Sequence, residues 1–486
     1  MNLQEILNGQ PDKAIELFKL PEFEVEPEKA KAQYFVEGHD VFDKNIRKDK
    51  IIQKDTGSVD ENGDVITTAA IIPCSRIGLP IQKDIVEQRI GFMLTNPVDY
   101  NMTSKTTKGQ RIIEMVEDIL LKNRTKYKDR DILRRQMSEM QSAELWYFVP
   151  TEGKPKFELK CKIVSPWLGD KLYPMYDFYG DMIAFGRAYR LKEDGKEIEH
   201  FDIYTKDLEY HFVKKDAWVF DNLEDANGKP IPNPTPNIVG KIMVIYHEQK
   251  APEWADVQSM IDRLEESVSN HADMNDYFGS PILAVMGEII GFSQKGEQGK
   301  ILELEHDAKA NYLTISTPPE SIRMEQAQLR ELVFALSNTA DISFDKVKGI
   351  GNLSAIALNL LFISSTMAAK AKEETFIVGL QRRVNLIMAC IGKVLDTSLA
   401  SDIPTVRVEP KLNVYAPSDV NELLKTLGQA KQDGIMSVEA IVENNPLIIE
   451  KEKEVVLLKA AKEEETKSAE AKVVEPKIEP TDKIIE

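Results

Sequence analysis

The chain has 486 residues, and its 80 acidic against 62 basic side chains give a formal net charge of −18. This length predicts two to four domains, and the 42% hydrophobic and 29% charged fractions are typical of globular proteins, which excludes a wholly disordered chain. Because phosphates would be repelled, the acidic balance also excludes a protein that binds nucleic acid over its whole surface.

The sequence predicts neither a signal peptide nor a membrane span. Residues 1–18 alternate charged and apolar side chains and lack the apolar core of a signal peptide. The longest apolar-rich run, residues 353–369, is interrupted by polar side chains and is shorter than the ~20 residues of a bilayer span, so it predicts a buried helix. Cys74, Cys161 and Cys390 are far apart and odd in number, which excludes a disulfide framework and a CxxC metal site and fits a reducing cytoplasm.

The N-terminal half begins with predicted helices and continues into predicted strands. The first ~50 residues are polar, with helical character and no clear core, and the turn-forming residues within 54–67 predict a hairpin tip. Apolar spacing predicts helices over 81–94, 110–122 and 129–144, the first of them ended by Asn96-Pro97. Residues 145–246 carry repeated short runs of β-branched and aromatic residues, which predict an antiparallel β-rich domain with an exposed, proline-rich loop at 221–237.

The C-terminal half is predicted to be mainly helical. A helix following Pro252 has an apolar stripe and an acidic composition, with Arg263 as its only base; its seven acids are Glu253, Asp256, Asp262, Glu265, Glu266, Asp273 and Asp276. Short strands and glycines follow to about residue 315, and Pro318-Pro319 opens a second helix. A glycine-bearing loop at 341–351 precedes a long helix from near Ser354, then a short β segment and two helices at 418–432 and 437–444. The last ~25 residues are expected to be disordered.

Signals for enzyme chemistry are nearly absent. The sequence has no GxxxxGK[ST] loop, no HExxH, no GxSxG and no CxxC pair, and its six histidines lack metal-ligand spacing. We therefore assign no catalytic residue, no metal ligand and no cofactor.

Five blocks in the correct order resemble the portal proteins of tailed bacteriophages, the head–tail connector family of long-tailed phages. Each block matches a family pattern: a wing helix ending in a GxxxxNP turn, a segment rich in Tyr, Asp and Ala, a stem helix running into a clip strand, a GN.S..AL loop before a long helix, and a crown signature. In this chain the blocks read IQKDIVEQRIGFMLTNPVD, SPWLGDKLYPMYDFYGDMIAFGRAYR, MIDRLEESVSNHADMNDYFGSPILAVM, GNLSAIALNLLFISSTMAAKAKEETFIVGLQRR and DGIMSVEAIVENNPLIIEKEKE. They cover most of the chain from Ile81 to Glu454.

The resemblance implies an α+β portal fold with a wing, stem, clip and crown, a β-rich segment in the N-terminal half and a helix-rich C-terminal half. The expected parts are the N-terminal wing 1–250 (β-rich 145–246), stem helix 251–278, clip 279–318, second stem helix 319–340, tunnel loop 341–353, long wing helix 354–400, crown 401–460 and disordered tail 461–486. The clip is short and glycine-rich, and the first ~50 residues match no part of the family pattern.

The resemblance also implies a structural function without an enzymatic activity. Copies would form a ring, usually of twelve subunits, at one capsid vertex of the virion, after assembly in the host cytoplasm, and double-stranded DNA would be packaged and ejected through its channel. The implied partners are other copies of the chain, the DNA, the large terminase, a head-completion or adaptor protein, and the major capsid and scaffold proteins; no membrane is involved.

Two groups of residues are candidates for the channel surface. At the tunnel loop, glycines supply backbone freedom and lysines offer transient phosphate contacts; the residues are Lys346, Lys348, Gly349, Gly351 and Asn352. On the stem, acids would keep the duplex from binding the channel wall; the residues are Asp262, Glu265, Glu266 and Asp273. An ordinary solvated helix face is the alternative for these acids.

Two other classes of protein remain open on the sequence alone. An acidic scaffold or adaptor protein of a phage head would be mainly helical, without a central β-rich domain. A cytoplasmic hydrolase or nucleotide-dependent enzyme, with its site assembled from unlinked residues, would turn over ATP as the purified chain.

Overall fold

The structure is a computed structural model. It describes residues 11–60, 65–152, 156–193, 195–224, 228–278, 282–286, 289–292, 302–304, 309–313, 319–341, 360, 362–415, 420–445, 447–448, 451 and 453–461. The chain divides into two compact units, which we describe separately: Met1–Ile342 with Ser364–Tyr415, and Ser343–Ile363 with Ala416–Glu486.

The N-terminal segment is packed into the first unit. It contains helices α1 (Pro11–Glu16) and α2 (Pro27–Tyr34). Ala14 and Phe18 are buried against a β-sheet, and Ala30 and Tyr34 belong to a helical core. The expectation that the first ~50 residues have no clear core is therefore wrong, because a few well-spaced apolar side chains suffice to dock two short helices.

A hairpin follows, as the turn residues predict. Strand β1 (Lys50–Val59) pairs antiparallel with β2 (Val65–Ile72), with Ile51 opposite Ile71. Among the described residues, no third strand pairs with this hairpin.

Three helices and one strand come next. They are α3 (Ile81–Leu94), β3 (Asp99–Thr103), α4 (Thr107–Lys122) and α5 (Thr125–Glu139). The bounds of α3 match the prediction, and α4 starts three residues earlier than expected because the Thr106 hydroxyl caps it by accepting from Gly109 N–H (3.0 Å). The predicted extension of the third helix to residue 144 is wrong: Met140 adopts a left-handed φ of 64°, which ends α5, and the next residues form a strand.

The β-rich region forms two antiparallel sheets, as predicted. The smaller has the order β12-β4-β5 and the larger the order β10-β9-β8-β7-β6, with β11 paired to β9. The strands are β4 (Gln141–Pro150), β5 (Phe157–Val164), β6 (Lys171–Tyr176), β7 (Met182–Glu193), β8 (Lys196–Thr205), β9 (Leu208–Lys214), β10 (Trp218–Phe220), β11 (Thr235–Pro236) and β12 (Val244–Glu248). The sequence does not predict β6, because Pro174 interrupts its pattern; proline is tolerated there since β6 is an edge strand.

The chain after residue 257 forms long helices around small strands. The elements are α6 (Gln258–Phe278), β13 (Ile282–Met286), β14 (Ile289–Phe292), β15 (Leu302–Leu304), β16 (Lys309–Leu313), α7 (Pro319–Leu336), α8 (Ile363–Cys390) and β17 (Arg407–Lys411). Strand β13 pairs with β16, β14 with β15, and β17 returns to pair with β3. The fold is thus α+β, with the sheets in the N-terminal half and the helix-rich part in the C-terminal half, as expected.

Helix α8 links the two main apolar clusters of the first unit. Phe376 and Leu380 pack with α3, α5 and the start of α6, while Val384 and Ile387 pack with α4 and the smaller sheet. Helix α8 therefore packs into both apolar clusters of the first unit. Within the described part of the chain, every helix is too short or too polar to traverse a bilayer.

The second unit contains two described helices, α9 (Val420–Gln432) and α10 (Val438–Asn444). The Ser437 hydroxyl caps α10 by accepting from Ala440 N–H (3.2 Å), and Lys459 pairs with Glu439 at 2.9 Å. Most of the tail predicted to be disordered, residues 462–486, lies outside the described residues.

Candidate functional site

Helices α6 and α7, which the sequence analysis predicts to be the two stem helices, pack side by side. Val257 just before α6, Ile261 in its first turn and Val333 near the end of α7 are buried in one apolar cluster. Further along, the Arg263 guanidinium on α6 donates to Glu325 Oε1 on α7 at 2.8 and 3.0 Å. The pair is thus joined by apolar packing at one end and by an exposed ion pair beyond it.

Glu265 on α6 is buried, with 1% of its side chain exposed. His39 Nδ1 lies 2.7 Å from its Oε1 atom, and the Leu79 backbone N–H donates to the same oxygen at 2.6 Å. The carboxylate therefore holds the segment after the hairpin against α6 and does not face solvent in the subunit.

Asp273, about two turns further along α6, also binds the N-terminal segment. It accepts from the Arg47 guanidinium at 2.9 Å and from Ser75 N–H at 2.6 Å, and Lys50 Nζ lies 3.5 Å away. Burial opposes ionisation here, but these hydrogen bonds and positive charges outweigh it and lower the pKa of Asp273. Two of the four acids assigned to the stem thus bind partners in the N-terminal segment.

Asp262 and Glu266 are the other two acids. Asp262 is half-buried and accepts from the Gln258 amide at 2.7 Å; burial raises its pKa. Glu266, with 54% of its side chain exposed, accepts from Arg263 at 2.9 Å. Glu266 is therefore the most exposed of the four predicted carboxylates.

The tunnel-loop candidates Lys346, Lys348, Gly349, Gly351 and Asn352 lie outside the described residues. Their role, like that of the four acids in a channel, stays a prediction.

Arg89 anchors both helices at one end, and the sequence analysis did not single it out. It lies on α3 and is 6% exposed; its Nε donates to Glu253 just before α6 at 3.1 Å, and its Nη2 donates to the Ser337 carbonyl just after α7 at 2.8 Å. Lys372 on α8 pairs with the same Glu253 at 2.9 Å. A cation four residues after Ile85 on the apolar stripe of α3 is the signal that could have revealed it.

A second buried cation, Arg383 on α8, was also missed. It is fully buried and donates to both carboxylate oxygens of Glu144 at 2.8 and 2.9 Å and to the Tyr100 hydroxyl at 3.0 Å, and it lies 2.7 Å from Asp129 Oδ1. His247 Nε2 lies 2.9 Å from Glu144 Oε1. One guanidinium thus ties α8 to β3, β4 and α5.

The electrostatics of this cluster keep Glu144 charged. Burial raises the pKa of Glu144, but the charge and hydrogen bonds of Arg383 and His247 outweigh it and lower the pKa to about 2. Burial raises the pKa of Asp129, which has fewer donors. The close approach of α8 to β12 requires Gly379, because a Cβ there would lie 2.2 Å from His247 Cε1.

A cleft of about 620 Å³ lies beside α6, between the helix and the root of the hairpin. Its lining mixes both signs of charge and includes Arg47, Lys48, Lys50, Asp262, Glu266 and Asp273. Within the described ranges, no three His, Cys, Asp or Glu side chains are grouped to hold a metal ion. The buried ion pairs described above hold helices α6, α7 and α8 in position, and the cleft beside α6 presents a polar surface.

Comparison with known proteins gives one family. The family model described as "Phage portal protein, SPP1 Gp6-like" matches residues 29–468. No curated protein matches the chain. Among 94 matching chains of solved structures, "Neck of empty GTA particle computed with C6 symmetry" has 12% sequence identity and a TM-score of 0.38, covering 77% of this chain and 88% of that chain. This likeness is too low to carry an argument about function.

Proposed function

We infer the function from one premise: the chain belongs to the SPP1 Gp6-like family of phage portal proteins. The family gives it a portal, or connector, role in a phage particle, and the family is structural rather than enzymatic. We propose that copies of the chain form a ring, of twelve subunits in the expected case, at one capsid vertex. Viral double-stranded DNA enters and leaves the head through the channel of this ring.

The observation that carries the proposal is the pair of helices α6 and α7 joined through a small β insert. At 1.5 Å per residue, the 21 residues of α6 span about 31 Å, close to one turn of a DNA duplex at about 34 Å. Arg89 and the shared apolar cluster hold one end of the pair to the body of the subunit. The N-terminal segment also contacts α6 further along, at Glu265 and Asp273. A pair of long helices held in this way suits the wall of a channel repeated around an axis.

We assign the parts of the chain accordingly. Residues 1–250 with 354–400 form the wing, 251–278 and 319–340 the stem, 279–318 the clip, 341–353 the tunnel loop and 401–460 the crown. The clip docks the large terminase and later a head-completion or adaptor protein. The major capsid and scaffold proteins are further partners, and assembly takes place in the host cytoplasm.

The charge of the channel wall is proposed to come from the exposed acids of the acidic segment, which are Asp256, Glu266 and Asp276. Glu253, Glu265 and Asp273 are largely buried and contact side chains of the same subunit. A wall with few free bases does not hold a duplex by counterion release, so DNA slides. Screening over ~10 Å at 0.1 M salt confines this repulsion to the neighbourhood of the wall.

The ring is tested with the purified chain. We expect a particle of several hundred kilodaltons by sedimentation and an axial hole in class-average images. A stable monomer of about 55 kDa, the mass of one chain, at micromolar concentration would contradict the proposal. ATP turnover by the chain alone would favour the enzyme alternative.

The tunnel loop is tested separately. Replacing Lys346 and Lys348 together by Glu removes the proposed transient phosphate contacts. We expect less DNA packaged or retained per head while the ring still assembles, measured by DNA content of purified heads and by negative-stain images. Unchanged packaging would remove the role of both lysines without touching the ring.

A further inference from the structure

A basic corner lies on this acidic chain where the turn between α4 and α5 meets strand β5 (residues 119–128 and 158–162). Residues 119–128 hold four bases and no acid, a composition that no other ten-residue stretch of the sequence has; the bases are Lys122, Arg124, Lys126 and Lys128. The whole chain carries −18. A cluster of bases on such a background is the electrostatic signature of a surface that binds a polyanion.

Asn123 holds the basic corner in shape at the edge of the smaller sheet. Its side chain is buried, donates from Nδ2 to the Leu159 carbonyl at 2.8 Å and accepts at Oδ1 from Cys161 N–H at 2.8 Å. Strand β5 is the edge strand of that sheet, so the amide of Asn123 takes the place of a neighbouring strand there. These bonds place the turn against β5, which adds two bases to the corner: Lys160 and Lys162.

The basic corner keeps a surplus of positive charge after its ion pairs are counted. Lys122 pairs with Asp118 at 2.7 Å, and Lys160 pairs with Glu158 at 3.3 Å. The other exposed acid in the last two turns of α4, Glu117, precedes Arg124 by seven residues. Among the described residues no acid pairs with the remaining exposed bases of the corner, which are Arg124, Lys126 and Lys162. Three positive charges are therefore available to an outside partner.

The composition of the basic corner favours phosphates over a protein partner. Within residues 119–128 and 158–162, the exposed large hydrophobic side chains are Leu121 (77%) and Tyr127 (68%). Two such side chains do not make the apolar core that a protein–protein interface buries. Lysine and arginine gain affinity for a duplex by releasing its counterions, and a tyrosine hydroxyl donates to phosphate oxygens.

We propose that the basic corner binds the phosphate backbone of double-stranded DNA, as a second DNA contact of the subunit apart from the channel. The choice of DNA among polyanions rests on the proposed function, which brings a duplex to the subunit. The corner lies on α4, α5 and β5, none of which belongs to the proposed stem or tunnel loop. It therefore holds a duplex without adding bases to the wall along which DNA slides.

The test measures binding of the purified full-length chain to a covalently closed DNA minicircle, added after the ring has formed. A closed circle cannot thread a closed ring, so its binding reports contacts outside the channel. The corner variant places asparagine at Arg124, because asparagine tolerates the left-handed φ of 52° there. This variant is R124N/K126Q/K162Q. The matched control removes three exposed bases in and beside the larger sheet, with the same change of net charge: K192Q/K206Q/K215Q.

The expected effect is a loss of affinity together with a weaker salt dependence. At about 0.1 M salt, we expect the dissociation constant of the minicircle to rise at least about 10-fold in the corner variant. The slope of log association constant against log salt should fall in magnitude by about 2–3, since three phosphate contacts are lost. The control should stay within about 3-fold of the wild type, because its bases lie outside the corner.

A labelling experiment covers the case in which the corner variant loses its fold, checked by circular dichroism. Cys74, Cys161 and Cys390 are buried, so Y127C and I238C each introduce one exposed thiol. We expect the minicircle to slow maleimide labelling of Y127C and to leave I238C unaffected.

The outcomes separate this contact from the proposed ring. A wild-type chain that stays monomeric overturns the ring, and minicircle binding by that monomer still decides the corner. No minicircle binding by the wild type at about 50 mM salt, or an equal loss in the corner variant and its control, overturns the corner contact and leaves the ring. Polyglutamate bound as tightly as the minicircle at equal salt assigns the corner to an acidic protein and likewise overturns the DNA contact.

Discussion

Arg383 and Arg263 each bind two carboxylates, but in opposite surroundings. Arg383 has 1% of its side chain exposed and lies between Asp129 and Glu144, which are 3% and 1% exposed. Arg263 is 50% exposed and bridges Glu325 and Glu266, which are 41% and 54% exposed. Each arginine has two carboxylate partners, so the two sites differ mainly in how far their side chains are exposed to solvent.

The two arginine sites differ in how strongly they resist a change in helix position. At Arg383, removal of one partner would leave a buried charge with neither a counter-ion nor water. The cluster therefore holds α8 in a fixed position against the sheet. Around Arg263, water replaces a lost partner at little cost, so the ion pair aligns α6 and α7 without locking them. Local adjustment is therefore available between the two helices and not at the base of α8.

The strongest test of this comparison is Arg383→Ala. It leaves Glu144 and Asp129 buried without their cation, and we expect a loss of about 3–5 kcal/mol in the free energy of unfolding, measured by urea denaturation. Arg382→Ala, one residue away and exposed, is the matched control and should cost little. Equal costs in the two variants would contradict the role of the buried cluster.

Gly379→Ala tests the same position of α8 against the sheet, through packing rather than charge. The added Cβ would lie 2.2 Å from His247 Cε1, and we expect a loss of about 1–3 kcal/mol in the free energy of unfolding. Gly91→Ala is the control, since its Cβ meets nothing within 4 Å on helix α3, and it should stabilise by up to about 1 kcal/mol. Both variants are compared by thermal and urea unfolding; stabilisation by G379A would show that α8 can move away from β12.

His211 offers an ion pair of intermediate exposure, 21%, with Nδ1 2.7 Å from Asp202 Oδ1. Burial lowers the pKa of His211, but Asp202 outweighs it and the pKa is raised above the usual 6.5. A raised pKa in the folded state stabilises fully below about pH 6.5 and loses that contribution as the pH rises through the folded value. We expect Asp202→Asn to cost more stability at about pH 5.5 than at about pH 8.5, measured by urea unfolding at both; the reverse order would refute the assignment.

Arg263→Ala is expected to have the smallest effect. Exposed pairs contribute about 0–1 kcal/mol, so its free energy of unfolding should fall by no more than that, with the difference shrinking in high salt. A loss above about 2 kcal/mol would show that the α6–α7 contact is less hydrated than its exposure indicates.

The sequence predicts elements better than it predicts contacts. The apolar spacing over Ile81–Leu94 and the following Asn96-Pro97 give α3 its correct bounds, because both signals are local. Two of the seven acids predicted on the first stem helix, Glu253 and Asp256, precede α6. Two acids within α6, Glu265 and Asp273, have partners in a segment where no core was expected.

The partners of the two buried arginines, Arg383 and Arg89, were not predicted because they lie far away in the sequence. Arg383 and Glu144 are separated by 239 residues, and Arg89 and Ser337 by 248, so no spacing rule connects them. What the sequence does contain is a lone arginine on an apolar helical stripe, which predicts a buried charge and leaves its acid partner unidentified.

The pairing of β17 with β3 has a consequence for synthesis on the ribosome. Arg407 lies opposite Thr103, and Lys411 opposite Asp99, so the first unit closes only when residues near 411 have left the exit tunnel. Until then β3 lacks its strand partner. Arg383, the cation of Glu144 and Asp129, leaves the tunnel earlier. A chain terminated before β17 therefore cannot complete the first unit.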